Sequence, residues 1–87
     1  PSRLSDGRKA VISMLLSHET GVLSTVLSKI SENGASVLTI TQSLPIRGKA
    51  SVTITLDISA MAMPLSNLLK EMDSSTGVEN TKLIAID

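Results

Sequence analysis

No Phe, Tyr, Trp or Cys occurs anywhere in the 87 residues. Each absence removes a class of explanation. Without cysteine there is no disulfide framework, no thiolate nucleophile and no paired-thiol site for a soft metal. Without aromatic rings there is no stacking platform for RNA bases, and every large core side chain must be Leu, Ile, Val or Met. Net charge is missing too, because eight Lys/Arg balance eight Asp/Glu. The pull toward phosphate backbones or anionic membranes is therefore weak, and neither nucleic acid nor membrane is an expected partner. No apolar run approaches the roughly 18 residues of a bilayer span, and the first residues lack the layout of a signal peptide. A cytoplasmic location is the expectation that follows. His18 is the single histidine, and the acidic residues are scattered over separate stretches. With no activated nucleophile, poised acid–base pair or metal-ligand cluster, neither an enzyme nor a cofactor is expected.

What is present is a globular composition, 41% hydrophobic and 18% charged, on a chain sized for one domain. Ordering entropy of about 1.5 kcal/mol per residue nearly cancels the burial term in domains this small. Added burial against a second copy or a parent chain is expected, so the protein is read as a homodimer or higher homo-oligomer. Because it opens on Pro1 rather than Met, the chain is also expected to be an excised or processed piece.

Residues 1–8 mix Ser, Arg, Asp and Gly without apolar periodicity and read as a linker or frayed terminus; residues 9–87 form the domain. Lys9 to Leu16 is a β-prone run, apolar in both phases, as in a central strand covered on both faces. Val22 to Asn33 sets Leu23, Val26, Leu27 and Ile30 at helical spacing, and Asn33-Gly34 supplies a left-handed stop. Ser36 to Leu44 is a second strand, with Leu38 and Ile40 in one phase, ending before Pro45. After the short turn Ile46-Arg47-Gly48-Lys49, Ala50 to Ile58 alternates strictly, Ala50, Val52, Ile54, Leu56 and Ile58 against Ser51, Thr53, Thr55 and Asp57. Pro64 suits a first helical turn, and Leu65, Leu68, Leu69 and Met72 follow at i, i+3, i+4 and i+7. Met61, Met63 and Met72 are read as packing residues. Val78 to Ile86 closes the chain as a fourth strand. The order βαββαβ with right-handed crossovers implies an α+β, ferredoxin-like two-layer sandwich. Its sheet has four antiparallel strands, the first and third central, with both helices on one face.

Chemistry is best placed at Ser17 to Leu23, where a glycine-containing loop feeds a helix N-terminus. Free N–H groups and the positive end of the helix dipole suit a carboxylate there, and Gly21 lets backbone approach without a Cβ in the way. A glycine before a helix also arises for steric reasons alone. His18 could contact a carboxylate, or simply be solvated. Arg47 and Lys49 read as a soluble charged turn.

The stretch Leu16-Ser17-His18-Glu19-Thr20-Gly21-Val22-Leu23 resembles the loop of ACT domains, whose usual form is Asp-Arg-Pro-Gly, any residue, then Leu. Gly21 and Leu23 match; His18 stands where Asp or Asn is usual, and Thr20 replaces Pro. Leu38-Thr39-Ile40-Thr41-Gln42-Ser43-Leu44-Pro45 and Gly48-Lys49-Ala50-Ser51-Val52-Thr53 are similar to bacterial PheB-type ACT proteins, a chorismate-mutase-like group, and the likeness runs from about Lys9 to Asp87. It implies a regulatory module that binds an amino acid or similar effector at a subunit interface and signals to a linked or partner enzyme of amino-acid metabolism. The implied contacts are His18, Glu19, Thr20, Gly21, Val22 and Leu23 from the loop, with Thr39, Thr41 and Gln42 from the strand side. Catalysis by the chain itself finds no support, since Arg3, Arg8 and Arg47 do not form the cationic cluster a dianionic substrate would ask for. A purely structural dimerisation domain without a small-molecule ligand is the competing reading.

Overall fold

A computed structural model describes residues 8–87; all but one residue of the expected N-terminal linker, 1–8, lies outside the described residues. The elements are β1 (Lys9–Ser17), α1 (Val22–Glu32), β2 (Ser36–Gln42), β3 (Lys49–Asp57), α2 (Leu65–Asp73) and β4 (Val78–Ile86). They build one four-stranded sheet in the order β2-β3-β1-β4, with every neighbouring pair antiparallel. This is the expected ferredoxin-like βαββαβ sandwich, with the first and third strands central.

The ladder between β1 and β3 runs without interruption from Lys9 opposite Asp57 to Ser17 opposite Lys49. Side chains alternate across a strand, so this register sets Ala10, Ile12, Met14 and Leu16 beside Leu56, Ile54, Val52 and Ala50 on one face, and all eight are buried. Both helices lay their apolar stripes there. Val26 and Ile30 of α1, with Leu68 and Met72 of α2, are buried in the same cluster, and Leu23, Leu27, Leu65 and Leu69 pack at its margin. Lys29 and Asn33 join the helices through Glu71, at 3.5 and 3.2 Å.

Apolarity in both phases of β1 predicts cover on both faces, but the helices cover one. Val11, Ser13 and Leu15 are half-buried on the other face, beside the hydroxyl row Thr55, Thr53 and Ser51 of β3. No helix covers that face, and Leu15 there borders Leu44 and Ile46 of the β2–β3 connection, so an apolar residue on a central strand does not require a second layer. In β2, a bulge between Val37 and Thr39 breaks the expected alternation. Val37 and Ile40, rather than Leu38 and Ile40, stand opposite the inward residues Leu56 and Ile54. The strand stops at Gln42, two residues short of expectation, where the Ser43 hydroxyl takes the Ser51 N–H at 3.0 Å. The hairpin then closes through Arg47 and Gly48, both at positive φ (55° and 77°), as a two-residue type I′ turn demands. Pro64 is the N-cap of α2 rather than part of its first turn, and Met63 is exposed rather than packed.

The two sheet edges differ. β4 carries two register shifts, a left-handed Asn80 (φ 54°), and the charges of Glu79 and Lys82. β2 is exposed along all seven residues, has no charge and no proline, and shows Val37, Leu38 and Ile40 to solvent. Bulges and charge blunt an edge against pairing; only β4 has them in quantity.

Truncating Ile12, wholly buried on the central strand, to Ala is expected to cost about 2–5 kcal/mol in urea unfolding. Thr53→Ala on the open face should change stability by about 0.5 kcal/mol or less. At the end of β3, the Ser59 hydroxyl and N–H both donate to Asp57 and, with Lys9 adding attraction, hold its carboxyl below the ordinary value. A depressed folded pKa contributes stability above the unfolded pKa that is lost as pH falls through the folded one. Ser59→Ala should therefore raise the Asp57 pKa in a carboxyl-carbon NMR titration and make the acid limb of stability shallower.

Candidate functional site

At the end of β1 the chain must turn from a strand into α1 within four residues, and glycine makes this possible. Gly21 sits at the N-cap with φ 93° and ψ −17°, a left-handed conformation that side chains rarely adopt. Its carbonyl accepts from Thr25 N–H (3.0 Å) and from the Ser24 hydroxyl (3.1 Å). No side chain caps the first-turn donors of α1, the groups a helix leaves unsatisfied at its start.

Upstream, the loop is held by backbone alone. Ser17 N–H donates to Gly77 O at 2.8 Å and His18 N–H to Gly48 O at 2.7 Å; Glu19 N–H reaches Ser17 O and Val22 N–H reaches Glu19 O. Among the described residues, the N–H groups of Thr20, Gly21, Leu23 and Ser24 are left without a backbone acceptor.

A hollow of about 210 Å³ lies beside this loop. Its apolar part is Leu16, Leu23, Ala50 and Val52, and its polar part is Ser17, His18, Glu19 and Gln42. The β3 register explains the space: Ala50 pairs with Leu16 where the next inward positions of β3 carry Val, Ile and Leu. Gln42 reaches it because it pairs with Val52 and so shares the inward face. A wider, more open hollow of about 540 Å³ also adjoins the loop, lined by Thr20, Thr25, Ser74, Ser75 and Thr76 together with Lys29.

Of the sequence-derived candidates, His18, Glu19, Leu23 and Gln42 line the smaller hollow, and Glu19, Thr20, Gly21 and Val22 line the wider one. Thr39 and Thr41 pair with Thr55 and Thr53, which puts them on the open sheet face, away from the loop of their own chain. Ser17 falls within the stretch the sequence marks, but Leu16, Ala50 and Val52 are not among the contacts it names. The alternation of β3 marks Ala50 and Val52 as inward, but which end of the strand meets the loop follows from register. No group of three or more His, Cys, Asp or Glu that could hold a metal occurs among the described residues. Nor is any described helix long and apolar enough to cross a membrane.

No protein-family model matches the chain. It is 43% identical over 81 residues to a UPF0735 ACT domain-containing protein of Clostridium perfringens (strain SM101 / Type A), an alignment covering 93% of this chain and 56% of that protein. A UPF0735 ACT domain-containing protein of Clostridium novyi (strain NT) is 44% identical over 80 residues, covering 92% and 56%. The chain thus spans little more than half the length of these curated relatives. Among solved structures, the ACT domain from GTP pyrophosphokinase of Chlorobium tepidum superposes with a TM-score of 0.68 at 15% identity, covering 87% of this chain and 96% of that one. The ligand-free regulatory subunit of aspartate kinase from Thermus thermophilus gives 0.66 at 17% identity, covering 88% and 50%. GqqA, described as a novel type of quorum quenching acylase, gives 0.74 at 15% identity, covering 99% and 43%. Likeness at these identities concerns the fold, and the fold is that of ACT domains.

Proposed function

We propose that this chain, homologous over most of its length to UPF0735 ACT domain-containing proteins, is a regulatory module that dimerises and holds a free amino acid or similar small effector beside the Gly21 loop. The observation that carries the reading is an uncapped helix start adjoining a small, half-apolar hollow. An α-carboxylate suits the unsatisfied N–H of Leu23 in the first turn of α1, the helix residue that lines this hollow. An ammonium group suits Glu19 and the Gln42 carbonyl, and an aliphatic or small side chain suits Leu16, Leu23, Ala50 and Val52. A hollow of about 210 Å³ falls below the roughly 300–1,000 Å³ of sites for drug-sized ligands. It therefore favours one amino acid over a nucleotide.

Dimerisation is read onto β2. An edge strand that is uncharged, exposed throughout and free of proline offers a row of unpaired backbone groups, and a second copy of the same strand is self-complementary to it. Thr39 and Thr41, on the open sheet face, would then serve contacts with that copy rather than with the loop of their own chain. The rest of the proposal follows the homology and the sequence resemblance: a PheB-type ACT protein of the cytoplasm, signalling to a linked or associated enzyme of amino-acid metabolism. The domain itself is read as non-catalytic and free of cofactors. The exposed β2 edge equally supports a scaffold that dimerises and binds nothing, so the two readings part at the ligand.

A thermal-shift panel of the twenty L-amino acids separates them. Saturable stabilisation by one or a few members is expected, about 2.7 kcal/mol at a hundredfold excess over Kd. Gly21→Asn, which tolerates the left-handed backbone but places a side chain in the approach path, should abolish the response; a flat panel leaves only the scaffold. Separately, the melting temperature should fall on dilution. Ile40→Lys, which sets like charges across a symmetric β2 pairing, should remove that concentration dependence and yield a monomer in sedimentation.

A further inference from the structure

Positive φ is concentrated at one end of the sheet. Of the six described residues with left-handed backbone, Gly21, Arg47, Gly48, Gly77 and Asn80 belong to the end where β1 runs into the loop, and only Gly34 lies at the other. Positive φ marks places where the chain turns in ways most side chains resist and glycine permits. Two of these glycines hold the loop directly, since the carbonyls of Gly77 and Gly48 take the N–H groups of Ser17 and His18. They differ in one respect. A Cβ on Gly48 would meet nothing within 4 Å, whereas a Cβ on Gly77 would lie 3.0 Å from one methyl of Val22 and 3.3 Å from the other methyl and from Ser17 Cβ. Val22 opens α1, and a β-branched side chain in a helix has one strongly preferred rotamer, so it gives way only if the backbone moves with it.

We propose that Gly77 is the positioning residue of the Ser17–Val22 loop: its missing side chain lets the turn after α2 close onto the loop from beneath while its carbonyl fixes the upstream end. The inference rests on the effector reading of that loop, which it deepens. In sequence Gly77 is 56 residues beyond Gly21, and its local role as a turn glycine conceals the contact. Two steps follow. Closure at Gly77 ties Ser17 N–H to the turn, and the next unused donors, at Thr20 and Gly21, are set at a fixed distance from that anchor. The start of β4, joined to Gly77 at Val78, is tied to the loop through the same hydrogen bond.

Asparagine tolerates left-handed backbone, so Asn variants separate space from strain. Amide NMR spectra of the whole chain without effector should show Gly77→Asn displacing the resonances of residues 17–24 and speeding hydrogen exchange at Ser17. Gly48→Asn should leave both unchanged. Gly34→Asn is the control for lost stability, because a Cβ there would lie 3.1 Å from Ala60 O at the far end of the sheet; it should lower the melting temperature without moving the loop. Val22→Ala combined with Gly77→Asn removes the contacting methyls and should return the resonances of residues 17–21 toward their wild-type positions. With any amino acid that stabilises the wild type in the panel, Gly77→Asn should weaken the response at least tenfold and Gly34→Asn should not. The assignment is overturned if loop resonances stay in place in Gly77→Asn, if Gly34→Asn moves them as far, or if the double variant does not restore them. Should Gly77→Asn fail to fold, the double variant decides alone: wild-type loop resonances uphold the assignment and displaced ones or a second failure reject it. A panel with no response in the wild type removes the effector reading, while the amide comparison still decides the role of Gly77.

Discussion

The uninterrupted β1–β3 ladder is the constraint on which the rest of the structure depends. Its register puts every buried residue of both central strands on one face, and a slip of one residue in either strand would turn that strand's inward row away from its partner's. Because the chain has no rings, the core is an aliphatic layer in which Ile12, Ile54 and Leu56 meet Val26, Ile30, Leu68 and Met72. Such side chains interdigitate through branching rather than through flat stacking, which suits two helices lying across one sheet face. The other face holds Ser and Thr on β2 and β3, where it can remain wet, with Val11 and Leu15 half-buried there under no helix.

The same register also creates the candidate site. Leu16 and Ala50 end the inward rows of β1 and β3 beside the loop, and the small Ala50 leaves the space that a larger residue would fill. The turns after β2 and after α2, each with one glycine, both converge on that end, so the loop is shaped by carbonyls from two distant segments. The candidate site and most of the left-handed turns therefore share one end of the domain. At the sheet edges, β4 carries two register shifts and charge, whereas β2 has a single bulge and no charge, and β2 is also the strand that delivers Gln42 to the hollow.

Much of the fold was legible in the chain. The strict alternation of residues 50–58 and the helical stripes through Val26 and Ile30, and through Leu68 and Met72, are local periods that any compact arrangement must respect, and each appears as read. The misreadings have common physical causes. Apolar residues in both phases of β1 look like double cover, yet Val11 and Leu15 are half-buried with no helix over them. In β2, Ile40 faces inward as its phase implies, but Val37 takes the place expected of Leu38 because a bulge there inserts a residue that no period announces.

For the site, local chemistry was enough to mark Gly21, whose lack of a Cβ permits the turn into α1, and the neighbouring His18, Glu19 and Leu23. Separating Gln42, which faces the hollow, from Thr39 and Thr41, which face away, required the register of β2 on β3. Gly77 and Gly48 came into view only when the chain had folded back on itself. By itself, the sequence determined the elements, their order and their apolar faces, because these are set by spacing along a few turns or strand residues. Tertiary structure decided which face stays bare, which edge stays open and which distant carbonyls hold the loop, because those depend on the summed packing of segments far apart in the chain.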